Sequence, residues 1–90
     1  MKEPTMNVVQ KIAVDGDSTI VAERMTLAQM QAFVGGDIEL VRCRLAHRAL
    51  VVNENGISEG LAVNPAATAL VAPGVAMLEG IRGNALVVKN

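Results

Sequence analysis

Met25-Thr26-Leu27-Ala28-Gln29-Met30-Gln31-Ala32-Phe33-Val34-Gly35-Gly36 runs straight into Asp37-Ile38-Glu39-Leu40-Val41. The stretch predicts one short helix feeding a strand. Thr26 can accept a hydrogen bond from the first turn, and Gln29, three residues on, completes a capping box. Met25 and Met30 stand at the two positions of a hydrophobic staple. Gly35 or Gly36 supplies the left-handed residue that ends a helix. The helix is expected over 26–34, with Leu27, Met30, Gln31 and Val34 on its inner face.

Upstream, residues 1–7 are expected to fray or to form an edge. Val8 to Val14 alternates as a strand does, and Asp15-Gly16-Asp17-Ser18 is a turn cluster. Thr19 to Ala22 is either a return strand or an extended connector. Downstream, a strand is expected over 37–44, a loop at Leu45-Ala46-His47 and a strand over 49–52. Asn53-Glu54-Asn55-Gly56 predicts a tight turn with positive φ angles, and Ile57 opens a further short strand. Asn64 and Pro65 have the N-cap and first-position chemistry of a second helix, stopped by Pro73-Gly74. Val75 to Leu78 and Ala85 to Val88 are expected to close the sheet. With no internal repeat and no linker composition, residues 1–90 form one domain. The expected class is α+β: a small mixed or antiparallel sheet with one well-capped helix and one short helix.

Composition narrows the function classes. The chain is 51% hydrophobic, yet Phe33 is its single aromatic. A domain of this size hides only about 60–65% of its unfolded surface. The apolar excess therefore predicts a homo-oligomer, the alternative being a monomer with many half-exposed alanines. A net charge of −1 argues against a duplex nucleic-acid partner, which would call for a basic face and a high pI. One cysteine cannot form an internal disulfide, which suits a reducing cytoplasm. The Met-Lys-Glu-Pro start lacks the apolar run of a signal peptide. The weakly polar stretch from Ala66 to Leu78 is too short and too broken to span a bilayer, so no membrane partner is expected.

Three blocks in order resemble a known type of domain. They are Leu27-x-x-Met30-Gln31-x-x-Val34-Gly35-Gly36-x-Ile38-Glu39; Leu50-Val51-Val52-Asn53-Glu54-Asn55-Gly56 with Asn64-x-x-Ala67-Thr68-x-Leu70; and Gly83-Asn84-Ala85-Leu86-Val87-Val88. Together they are similar to a family of short domains of unknown function from bacteriophages, prophages and mobile elements. The resemblance spans roughly residues 8 to 88. It implies origin and fold, and transfers no catalytic motif. If the protein is phage-encoded, its location is the host cytoplasm. The chain departs from such domains in carrying Asp37 where a Tyr or Phe is common after the double glycine.

No catalytic residue, metal ligand set or cofactor is expected. Cys43 and His47 are four apart, about 13 Å along a strand, too far for a nucleophile–base pair without a turn. Cys43 reads as a small buried hydrophobe and His47 as an exposed loop residue. Asp15 and Asp17 lack the remaining oxygens of a calcium loop. Gly35-Gly36 and Gly80-x-x-Gly83 lack the Lys-Ser/Thr of a phosphate loop.

The pattern that points to a ligand is cationic. Arg42, Arg44 and Arg48 fall within seven residues beside His47. Arg42 and Arg44 would share a strand face, and guanidinium suits bidentate contacts to phosphate or carboxylate. Arg82 and Asn84 would add a cation and an amide from an opposite rim, and Asn64 the N–H groups of a helix start. The competing reading pairs Arg42 and Arg44 with Glu39, Glu54 or Glu59 across the sheet, or has them blunt an edge strand. The leading functional expectation is a phage-type, non-enzymatic binding protein. As an oligomer it would act as an anti-defence sponge, sequestering a nucleotide immune signal through Arg42, Arg44, His47, Arg48, Asn64, Arg82 and Asn84. The alternative is a protein-interaction module that inhibits or assembles with a host or phage protein.

Overall fold

In the computed structural model, which describes residues 3–75 and 80–89, the capping signals sit where the sequence puts them. The helix α1 spans Leu27–Val34. The Thr26 hydroxyl oxygen accepts from the Gln29 N–H at 3.2 Å, and Gln29 Oε1 accepts from the Thr26 N–H at 2.8 Å. At the other end Gly35 is left-handed, and the N–H groups of Gly35 and Gly36 both donate to the Gln31 carbonyl. Thr26→Ala should cost about 1 kcal/mol, read as a lower chemical-denaturation midpoint with unchanged slope.

Among the described residues, five strands accompany α1: β1 Thr5–Ile12, β2 Ser18–Thr26, β3 Ile38–Arg42, β4 Arg48–Asn53 and β5 Ala85–Lys89. They form one sheet in the order β2-β1-β5-β4-β3, antiparallel throughout. A second helix of one turn, α2 Pro65–Thr68, lies between β4 and β5 in the chain. The class is α+β, but the sheet dominates. β2 is a full strand running directly into the helix cap, not a connector. β1 begins at Thr5, inside the stretch expected to fray, because Thr5–Asn7 are paired with Arg24–Thr26.

The two faces of the sheet carry separate cores. On one, α1 sets Met30 and Val34 against Val8, Met25, Val51, Leu86 and Val88. On the other, α2 and its flanking chain set Ala67 and Ile81 against Ile12, Val41, Leu50, Val52, Ala85 and Val87. Strand β5 is central, so Ala85-Leu86-Val87-Val88 is buried on both sides, and a continuous apolar run is what such a strand needs. Leu27 departs from the expected inner face at 49% exposure. Its neighbour Met25, the staple residue, is buried in the α1 core, and Phe33 packs at that core's margin.

The turn after β4 corrects another expectation. Residues 54–60 form successive turns, with Glu59 N–H donating to the Asn55 carbonyl, so Ile57 opens no strand. Neither Asn55 nor Gly56 has positive φ. Gly56 is glycine for lack of space: a Cβ there would stand 2.6 Å from Arg82 Cβ. Of the expected strand Val75 to Leu78, Val75 lies outside any strand, its N–H donating to the Ala72 carbonyl, and 76–78 lie outside the described residues.

Candidate functional site

Strand alternation settles where the cationic residues point. Ile38 packs on the α1 side and Val41 on the α2 side, which puts Arg42 on the α1 side. In β4, Leu50 and Val52 face α2, so Arg48 does too. Arg42 and Arg48 therefore stand on opposite faces. The strand ends before Arg44, because Cys43 leaves β4 to bridge Val71. Arg44 donates its N–H to the Leu70 carbonyl and its Nη1 to the Ala69 carbonyl at 3.3 Å, just past α2. The three arginines close in sequence thus diverge. His47 is exposed in the β3–β4 turn with φ 58°, and Cys43 is buried in the α2-side core.

Asn64 and Asn84 serve as internal ties. Asn64 is 1% exposed, its Nδ2 donating to the carbonyls of Ile12 and Gly83 and its Oδ1 accepting from the Ala67 N–H. Asn84 Oδ1 accepts from the Val14 N–H, and its Nδ2 donates to the Phe33 carbonyl. Asn53, which the sequence reading did not single out, does the same for Val34: its Nδ2 donates to the Val34 carbonyl and to Glu59 Oε1. Two asparagines, one ending β4 and one just before β5, thus satisfy the Val34 and Phe33 carbonyls of α1, groups every helix end leaves open.

Arg82 sits away from the β3–β4 turn. It lines a cleft of about 320 Å³ with Glu39, Asn53, Glu54 and Gly56, at the opposite end of the β3–β4 hairpin. Its Nη1 donates to the Leu61 carbonyl, while its buried Nε has no partner among the described residues. Arg82 therefore joins acidic neighbours there, and the rim shared with Arg42, Arg44 and Arg48 does not form within one chain.

The pairing the sequence reading missed is across strands. Arg48 lies opposite Lys89 in the β4–β5 register, and both point to the α2 side of the sheet. Among the described residues the single ion pair is Lys11–Glu23 at 3.2 Å, so none of Arg42, Arg44, Arg48, Arg82 and Lys89 pairs with a carboxylate there. Nor do three His, Cys, Asp or Glu side chains gather among the described residues to hold a metal ion. No helix of the described residues is long and apolar enough to cross a membrane.

These features define a small, two-core antiparallel α+β domain. The chain belongs to DUF3846, a domain of unknown function, whose family model matches residues 6–90. No curated protein and no solved structure matched the chain.

Proposed function

We propose that this protein is a non-enzymatic binding module that holds a small anionic ligand at the end of the sheet where Arg48 and Lys89 stand side by side. The observation that carries the reading is that pair. Like charges directly opposite on neighbouring strands destabilise a sheet, and no carboxylate among the described residues neutralises these two. A bound phosphate or carboxylate would turn the repulsion into a two-point clamp. For a phage- or prophage-encoded copy, the matching role is an oligomeric anti-defence sponge that sequesters a nucleotide immune signal and releases it intact.

Native mass spectrometry of gently purified protein tests this. The expected spectrum is an oligomer carrying the mass of a nucleotide-class anion. Ligand at a hundred times its dissociation constant should stabilise the fold by about 2.7 kcal/mol, a shift on the order of 10 °C. Arg48→Gln should remove the bound mass and leave subunit number unchanged. Bare protein with no thermal shift across a nucleotide panel overturns the reading.

A second reading, a protein-interaction module, is favoured by β2. This nine-residue edge strand has no backbone partner on its outer side among the described residues, and Ile20 on it is 77% exposed. Such an edge can accept a strand from another protein.

A further inference from the structure

Arg48 and Lys89 are the visible end of a longer row. Register places Lys89 opposite Asn7 of β1, and Asn7 opposite Arg24 of β2. Arg24, Asn7, Lys89 and Arg48 thus form a line across four adjacent strands. Alternation puts all four on the α2 side: Val21 and Met25 flank Arg24's position from the α1 side, Met6 and Val8 flank Asn7 likewise, and Val88 precedes Lys89. The α2 layer covers the β3–β4–β5 part of this face, and at the β1–β2 corner Asn7, Ala22, Arg24 and Lys89 are exposed. A groove of about 370 Å³ lies there, lined by Asn7, Val9, Ala22, Arg24 and Lys89.

Three details suit the groove to a ligand. A β-bulge at Val9 breaks the register between Val8 and Gln10, adding an apolar side chain to the groove floor beside Ala22. Glu23 contributes to the groove wall, but its carboxylate points to the α1 side and is held there by Lys11. The row itself therefore has three cations, one amide and no acid. Arg48 Nη1 touches the His47 carbonyl at 3.4 Å, which leaves most of a five-donor guanidinium for a ligand.

We infer that this row is the seat of a ligand bearing two phosphoryl groups joined by a compact, weakly polar portion such as a deoxyribose. The inference rests on the anion-binding reading above and deepens it. Strands are spaced about 4.8 Å apart, so Lys89 and Arg48 are adjacent, while Arg24 stands about 10 Å from Lys89. One phosphoryl group is held between Lys89 and Arg48 and the second by Arg24. The intervening part lies on Val9 and Ala22, with the Asn7 amide to hydrogen-bond it. A single phosphate reaches only one end of the row. The long arginine and lysine side chains close the remaining gap to the span of a nucleoside bisphosphate.

Amide NMR spectra of the labelled full chain test this, titrated with thymidine 3′,5′-bisphosphate, thymidine 5′-monophosphate and thymidine. The bisphosphate is expected to bind at least tenfold more tightly than the monophosphate, and thymidine not to bind. Shifts should centre on residues 7–9, 22–24, 48 and 89. Arg24→Gln, an exposed edge substitution, should lower bisphosphate affinity at least tenfold to the monophosphate level, with the remaining spectrum unchanged. Equal affinity for the two nucleotides, or shifts centred on the cleft at Arg82, overturns the inference. Bisphosphate binding that Arg48→Gln weakens and Arg24→Gln does not overturns the four-strand seat while leaving the anion-binding reading standing. No shift with any of the three compounds overturns both.

Discussion

Asn64→Ala is expected to destabilise the protein by about 3–5 kcal/mol, seen as a loss on the order of 15–25 °C in melting temperature for a domain of this size. Asn64 does three jobs with one amide. It caps α2 through the Ala67 N–H and ties α2 to the end of β1 at Ile12 and to the chain entering β5 at Gly83. The site is buried, so alanine would leave the Ile12 and Gly83 carbonyls and the Ala67 N–H without the partners they now have. Each such loss costs about 1–3 kcal/mol. Asn64→Asp separates the roles: the carboxylate keeps the cap acceptor but cannot donate to the two carbonyls. A melting temperature for the aspartate variant close to wild type would show that the cross-ties contribute little.

Gly56→Ala should cost about 2–3 kcal/mol, measured by chemical denaturation, although alanine has no backbone difficulty at that φ. The added methyl would stand 2.6 Å from Arg82 Cβ and 3.1 Å from the Arg82 carbonyl oxygen. Neither is the far end of a flexible side chain, so the turn or the 82–83 segment must move. Gly60→Ala in the same turn sequence is the informative comparison. Gly60 has φ 70° with nothing near its missing Cβ, so its cost is conformational strain alone, about 1–2 kcal/mol. An equal or smaller loss for Gly56→Ala would mean that the packing against Arg82 yields freely.

Local signals in the sequence were legible because they act within a few residues. Thr26, Gln29 and Gly35 cap α1, Asn64 and Pro65 open α2, and the apolar run Ala85–Val88 is a strand buried on both faces. The double-glycine, Asn-Gly and Gly-Asn-Ala blocks carried the resemblance that the family match now places in a domain of unknown function. The Asn-Gly turn was legible as a turn but not in its geometry, because Arg82, 26 positions away, decides why residue 56 is glycine. The candidate site was legible only through Arg48. Its neighbours Lys89, Asn7 and Arg24 are scattered over the chain, and no local pattern connects them.

By itself, then, the sequence determined the caps, the punctuation and which segments are apolar on one or both faces, since these follow from hydrogen bonding and periodicity between near neighbours. Only the tertiary structure decided the strand order, the divergence of Arg42, Arg44 and Arg48, and the row that joins Arg48 to Arg24. These depend on β5 inserting between β1 and β4, a pairing between residues up to about eighty positions apart. Its register, shifted by the bulge at Val9, sets which side chains share a face.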